Sequence, residues 1–268
     1  MSDWLHNLPL QWMAVSIFSA VYLTAVILYA LIRALAIGER SHAFKAISAG
    51  LLSPLGTLFA LFVAFTAAQV WADTDRGSTA VDREAGALSK VMFLAASFRG
   101  EPEARLHELI QRYIEEATTQ EWPQMARQTA VLRITPRPLA KALNLALALK
   151  PDGQGQEIAQ REMVTALENA LDARRQRIVI SRAHVNLVKW CCLCAQALSV
   201  LFIVALVHCD NPLALRIAMG TFATGIAVSL LLIAAHDRPF TGEISVQPAP
   251  LLQVIPEMAA SREAAGLP

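Results

Sequence analysis

The chain has 268 residues, of which 55% are hydrophobic and only 17% are charged. Soluble globular domains carry about 25% charged residues, so this composition is typical of an integral membrane protein. The formal net charge of +1 argues against nucleic acid as the main partner, because no basic stripe supplies the cations that neutralise phosphates. The lipid bilayer is the partner that the composition implies.

Four segments are long enough to cross the hydrocarbon core of a bilayer, which requires about 20 apolar residues in a helix. The sequence predicts these spans at residues 12–33, 48–71, 187–208 and 213–235. The first span differs from a secretory signal, since Asp3 and His6 precede it in place of a basic segment.

The sequence therefore predicts an all-α integral membrane protein with four transmembrane helices and a helical soluble domain inserted between the second and third spans. Proline and glycine clusters divide the inserted domain into helices, and no strand pattern competes with them. The predicted parts are residues 1–47 with the first span and loop, 48–71 as the second span, 72–186 as the soluble domain, 187–236 with the third and fourth spans, and 237–268 as an extended tail.

The second span continues into a charged stretch without a helix breaker. Side chains at steps of three and four residues predict one helical face of a pore. Three phenylalanines on this helix are interpreted as a hydrophobic constriction that gates by dewetting, namely Phe59, Phe62 and Phe65. Polar side chains further along are interpreted as the pore vestibule, namely Thr66, Gln69 and Asp73. The same pattern is also typical of a helix whose phenylalanines pack against lipid or neighbouring spans.

A stripe of small residues runs along the second span through Ala60, Ala64 and Ala68. Small side chains let another helix approach closely, so this stripe predicts a helix-packing face. A ring of Asp73 carboxylates from several subunits would favour cations, whereas a single Asp73 would be a solvated charge at the end of a membrane helix.

Four cysteines lie in or at the end of the third span, namely Cys191, Cys192, Cys194 and Cys209. We predict that they are small buried apolar side chains, because no histidine or carboxylate joins them within the span. The sequence contains no glycine-rich phosphate loop, zinc-type histidine pair or nucleophile elbow. No catalytic residue, metal site or cofactor is predicted, and an enzyme is not expected.

Basic residues flank the predicted soluble domain at Arg76, Arg83, Arg174, Arg175, Arg177 and Arg182. Cytoplasmic segments next to a membrane carry an excess of lysine and arginine, so this distribution favours a cytoplasmic domain and cytoplasmic termini. The first loop, with Arg33, Arg40 and Lys45, favours the opposite orientation.

Several motifs along the chain resemble the bestrophin-like family of bacterial four-span membrane proteins. They are "SPLGTLFALFVAF" followed by "W" and "REA", "EWP", and "DRPFTGEISV" after the last span. Within them we interpret six residues as structural motif residues: Glu84, Trp122, Asp237, Arg238, Pro239 and Phe240. Pro239 is expected to end the fourth helix, while Asp237 and Arg238 are expected to anchor its end.

The second span is also similar, more distantly, to the neck helix of bestrophins. That similarity implies a pentameric homo-oligomer in the bacterial inner membrane that passes inorganic ions through a hydrophobic neck. The stretch "AQVWADTDRGS" departs from the more basic and aromatic sequence of bestrophins at this point, which leaves the selectivity open. Two hypotheses follow: an ion channel, or a non-conducting membrane scaffold or sensor whose helical domain binds a cytosolic partner.

Overall fold

The computed structural model describes the backbone of residues 8–35, 40–132 and 135–255. Within these ranges every regular element is a helix. The helices are α1 (Leu10–Leu35), α2 (Arg40–Ala95), α3 (Glu101–Glu116), a π-helix (Ala117–Glu121), α4 (Trp122–Ala126), α5 (Arg137–Ala148), α6 (Gln154–Ile180), α7 (Leu187–Val207), α8 (Pro212–His236) and α9 (Ala249–Gln253). Residues 1–7 of the predicted N-terminal part and 256–268 of the predicted tail lie outside the described residues.

Four of these helices are long and apolar enough to cross a membrane: α1, the part of α2 from Gly50 onward, α7 and α8. The prediction of an all-helical membrane protein with four spans is thereby confirmed. The second predicted span is part of a 56-residue helix that contains Pro54 and continues to Ala95. No breaker interrupts the charged residues that follow Trp71, so the helix persists beyond its apolar part.

The chain folds into two compact units. The first contains α1, α2 as far as Ala72, α7 and α8, and we call it the apolar unit. The second begins at Asp73 and contains the rest of α2, α3 to α6 and most of the segment after Arg238, including α9. We call it the helical unit.

The core of the apolar unit is built from residues that recur every three or four positions. On α1 the buried side chains are Met13, Ile17, Val21, Ala25, Leu28 and Ile32. Hydroxyl groups in this unit are satisfied without water, because Thr24 and Ser199 each donate to a carbonyl four residues earlier. The hydroxyls of Tyr22 and Thr224 lie 2.7 Å apart and join α1 to α8.

The core of the helical unit lies between the second half of α2 and helices α3, α5 and α6. In α3 the apolar side chains form one face, and Leu106, Ile110 and Tyr113 are fully buried there. The segment after α8 adds apolar side chains to this core: Phe240, Leu251, Leu252 and Ile255. The predicted extended tail therefore contains a short helix, α9, that packs onto the helical unit.

Candidate functional site

The first half of α2 has one face turned toward the other helices of the apolar unit and one face exposed. Phe59 and Phe62 are half-buried and pack against the core of this unit, whereas Phe65 is 73% exposed. Each step of three residues turns the side chain by about 60° around a helix with 3.6 residues per turn, so the direction drifts from Phe59 to Phe65. The structure thus separates the three phenylalanines predicted to form one constriction.

The small-residue stripe lies on the exposed side of this helix. Ala60, Ala64 and Ala68 are all exposed in the single chain, beside Leu61 and Phe65. An exposed apolar face on a membrane helix contacts lipid, another copy of the chain or a central axis. The stripe is therefore open to any of these three neighbours.

Two of the polar residues predicted for the vestibule are engaged within the apolar unit. Thr66 is buried and donates its hydroxyl hydrogen to the carbonyl of Phe62 at 2.8 Å. Gln69 accepts a hydrogen bond from the Lys189 ammonium at the start of α7. Sequence reasoning missed Lys189, whose place in the first turn of an apolar helix was the available signal.

Asp73 has a cationic partner one turn further along the same helix. Its carboxylate lies 3.0 Å from the Arg76 guanidinium, and its side chain is 16% exposed. The aspartate predicted to form an acidic ring is therefore accompanied by a positive charge at nearly the same level of the helix.

At the end of α8, the buried carboxylate of Asp237 accepts a hydrogen bond from the backbone N–H of Val185, which precedes α7. Trp71 and His236 meet edge to face, with ring centroids 6.4 Å apart. The Asp237 contact supports the predicted anchoring role, because it joins the end of one apolar helix to the approach of another.

Five side chains form a buried ion cluster inside the helical unit: Glu84, Tyr113, Glu121, Arg174 and Arg177. Arg177 donates to Glu84 through Nε at 2.7 Å and through Nη2 at 3.0 Å. Its Nη2 also reaches Glu121 at 3.1 Å, and Arg174 donates to Glu121 at 2.6 Å. The Tyr113 hydroxyl donates to Glu84. Two guanidinium groups thus face two carboxylates, and the formal charge of the cluster is zero.

The π-helix places Glu121 in this cluster. A π-turn has i→i+5 hydrogen bonds and holds more residues than an α-turn, and such turns recur at functional sites. Glu121 is the last residue of the π-helix that follows α3. As a result Tyr113 and Glu121, two turns apart on one continuous helical segment, both reach the cluster: Tyr113 donates to Glu84, and Glu121 accepts from Arg177.

Trp122 links the buried ion cluster to the C-terminal segment. The Arg177 guanidinium carbon lies 4.9 Å from the centre of the Trp122 ring, a distance typical of a cation–π contact. On its other side Trp122 donates to the Val246 carbonyl at 3.3 Å and meets Phe240 edge to face at 5.7 Å. Residues from the motifs "REA", "EWP" and "RPF" therefore meet in the helical unit.

Burial and charge shift the pKa values of two members of the cluster. Burial, reinforced by the Glu84 charge, raises the pKa of Tyr113 well above its usual value. For Arg177, burial alone lowers the pKa, but the carboxylates of Glu84 and Glu121 and the Tyr113 hydroxyl raise it overall. Arg177 is therefore charged and Tyr113 neutral across the physiological range.

Sequence reasoning counted Arg174 and Arg177 only as flanking charges. The available signal was their spacing, since apolar residues at Met163, Ala166 and Ala170 continue through Arg174 and Arg177 on one face of α6. An arginine at a core position must find a carboxylate, which is the role of Glu84 and Glu121.

The Bestrophin-like domain model matches residues 19–251. The chain belongs to the Bestrophin-like family. The resemblance inferred from the motifs is thereby confirmed. Comparison with curated proteins and with solved structures gave no match.

The Bestrophin-like match begins within α1 and ends within α9, so it includes most of α1, the other three apolar helices, the buried ion cluster and Phe240. Together with the four apolar helices, it makes this a multi-pass membrane protein of Bestrophin-like architecture.

One prediction about the third span was wrong for the single chain of this Bestrophin-like protein. Cys191, Cys192 and Cys194 are exposed, and Cys209 is half-buried. The first three thiols lie on faces of α7 that the other helices of its unit leave exposed, whereas Cys209 follows α7 and packs against the core of the apolar unit. Among the described residues, no three histidine, cysteine or acidic side chains are grouped to hold a metal ion.

Proposed function

We propose that this Bestrophin-like protein assembles as a homo-oligomer in the bacterial inner membrane and conducts inorganic ions passively along an axis lined by the second span. The resemblance to bestrophins favours a pentamer, and the helical unit is proposed to be the soluble, cytoplasmic domain, with cytoplasmic termini. The observation that carries this proposal is the exposed apolar face on the first half of α2, which leads directly into a charged helix.

The exposed face has a division of roles in this proposal. Ala60, Ala64 and Ala68 are small enough to admit a helix of the neighbouring copy. Phe65 lies to one side of that stripe and is the phenylalanine exposed most fully, so we assign it to the constriction. Phe59 and Phe62 support it from the half-buried side, where they pack against the core of the apolar unit.

Selectivity in this proposal is set where α2 becomes charged. Asp73 and Arg76 place opposite charges within 3.0 Å of each other, so a ring of such pairs has a small net field and permits only a modest preference between cations and anions. Replacing Asp73 by asparagine removes the negative member of this pair and shifts the preference toward anions.

The test is ion flux through the purified full-length protein in liposomes. We expect Phe65→Ala to increase the flux, because a smaller side chain makes the constriction easier to wet. The matched control is Phe59→Ala with Phe62→Ala, which removes aromatic rings from the half-buried face and should change flux less. In the same preparation, Asp73→Asn should move the reversal potential in a salt gradient toward that of the anion.

Conduction would be rejected if neither the native protein nor any of the three variants shows ion flux while native mass spectrometry shows intact oligomers. That outcome would favour the scaffold or sensor hypothesis. One observation speaks for a sensor: a cavity of about 410 Å³ in the helical unit, bordered by Gln120, Gln124, Arg137 and Arg174. Arg174 belongs to the buried ion cluster, so a molecule bound in this cavity would contact that cluster.

A further inference from the structure

A second cavity in the helical unit is lined by arginines. It measures about 440 Å³ and lies between α2 and α6. Three guanidinium groups border it, from Arg76, Arg83 and Arg175, and its apolar part is formed by Val179 and Ile180. We call it the arginine groove.

The groove differs in charge from the buried ion cluster on the same two helices. In the cluster each arginine faces a carboxylate, whereas no carboxylate lines the groove. Arg76 pairs with Asp73 at 3.0 Å, and Arg175 lies 3.9 Å from Asp172 with both side chains more than 70% exposed. The Arg175–Asp172 pair contributes little at this exposure, and the three guanidinium groups outnumber the two carboxylates paired with them, so the groove keeps a net positive charge.

The arginines are arranged to hold one anion from two sides. Arg76 and Arg83 lie seven residues apart on one face of α2, and Arg175 faces them from α6. A guanidinium group binds phosphate oxygens through two parallel hydrogen bonds. Three arginines bordering one cavity favour a phosphate group over a metal cation.

The apolar part of the groove indicates what carries the phosphate. Val179 is 53% exposed although it lies within a helix of the helical unit, and Ile180 ends that helix. Along the chain, α7 begins seven residues after Ile180, and Arg76 follows Trp71 by five residues on α2. A ligand with a phosphate next to hydrocarbon, on a membrane protein, is a phospholipid.

We propose that the arginine groove binds the headgroup phosphate of an anionic phospholipid, with Val179 and Ile180 against the start of its acyl chains. The groove shares Arg76 with the proposed selectivity region of the pore, so the test changes Arg83 and Arg175 instead. A loss of lipid binding and a loss of conduction are measured independently.

Native mass spectrometry of the full chain in detergent tests the proposal, with phosphatidylglycerol and phosphatidylcholine of the same chain length as probes. We expect Arg83→Ala with Arg175→Ala to weaken phosphatidylglycerol binding by about 25-fold, because each basic residue near anionic lipid contributes about fivefold. Binding of phosphatidylcholine should not change. The matched control is Arg99→Ala with Arg161→Ala, which removes two exposed arginines that do not border the groove.

A second variant and a second probe keep the test decisive. Arg83→Lys with Arg175→Lys keeps both charges but loses the bidentate geometry, so its affinity for phosphatidylglycerol should lie between those of the native protein and the alanine variant. Equal affinity of the native protein for both lipids would overturn the proposal. If glycerol phosphate alone binds as tightly as the whole lipid, the groove serves a soluble phosphate and the lipid assignment is wrong.

Discussion

The two halves of α2 differ in the type of side chain that they expose. In the first half the exposed residues are themselves apolar, as at Leu58, Leu61 and Phe65. In the second half the exposed residues are charged, as at Asp82, Arg83 and Lys90, and apolar side chains such as Val81 and Leu88 are fully buried. The change falls between Trp71 and Asp75, where the amino-acid composition changes and the helical backbone does not.

This difference shows how one backbone conformation serves two environments. In the first half the hydroxyls of Thr57 and Thr66 donate to helical carbonyls, and no ion pair occurs among its described residues before Asp73. The second half buries Glu84 completely, which is tolerated because two arginine nitrogens and a tyrosine hydroxyl donate to it. The second half of α2 therefore places a buried charged side chain in the core of the helical unit.

The largest expected effect comes from removing the buried carboxylate. Glu84→Ala leaves Arg177 buried with an incomplete set of partners, and we expect a loss of about 3–5 kcal/mol in the free energy of unfolding. The measurement is denaturant unfolding of the purified protein followed by circular dichroism. The control is Lys90→Ala on the same helix, which breaks an exposed pair with Glu162 and should cost little. Equal losses in both variants would contradict the distinction between buried and exposed charge.

The next largest effect concerns apolar contacts in the same unit. Phe240 is 3% exposed and packs against Trp122, so Phe240→Ala should cost about 3 kcal/mol through the cavity it leaves. Phe93 lies on α2 and is 80% exposed, and Phe93→Ala should change the free energy of unfolding by less than about 0.5 kcal/mol. A similar cost for the two truncations would show that the C-terminal segment does not contribute to the core.

A smaller effect depends on pH. The raised pKa of Tyr113 means that, above pH 10, the unfolded chain loses this proton while the folded chain keeps it. The free energy of unfolding should therefore fall by about 1.4 kcal/mol for each pH unit above 10, in addition to the contribution of other groups. Below pH 10 both states hold the proton and no such slope exists. Tyr113→Phe should make the slope between pH 10 and 11.5 shallower, and an unchanged slope would mean that Tyr113 does not titrate as proposed.

The smallest expected effect is a difference in stability between alanine substitutions at two glycines of α2. A methyl group at Gly86 meets no atom within 4 Å, so Gly86→Ala should stabilise the helix by about 0.5–1 kcal/mol. At Gly77 the added carbon would lie 3.3 Å from the Phe240 ring, so Gly77→Ala should stabilise less or destabilise. Thermal unfolding of both variants gives the difference. Equal gains would show that Phe240 can move aside without cost.

The spans and the family could be predicted from sequence because both depend on local patterns. A run of about 20 apolar residues is sufficient to indicate a membrane helix, and the motifs occur in a fixed order along the chain. The direction of each side chain was harder to predict. Steps of three residues place Phe59, Phe62 and Phe65 on one approximate face, but the accumulated rotation exposes Phe65 and turns Phe59 inward.

The buried ion cluster could not be predicted, because its partners are distant in sequence. Glu84 and Arg177 are separated by 93 positions, and each looks like an ordinary surface charge when read alone. The motifs marked Glu84 and Trp122 as important without indicating that they share the partner Arg177. Arg83 and Arg175, which border the arginine groove, are adjacent in sequence to Glu84 and Arg174. Their side chains are nevertheless exposed and lie outside the buried ion cluster.

The π-helix makes the buried ion cluster sensitive to chain length as well as to side-chain identity. Inserting one further residue between Ala117 and Gln120, where the π-turn already holds an extra residue, would rotate everything after it by about 100°. Glu121 would then point away from Arg174, and Trp122 away from Arg177, although every charged and aromatic residue would still be present. Relatives that share Glu84 and Arg177 are therefore expected to have no further insertion between Tyr113 and Trp122.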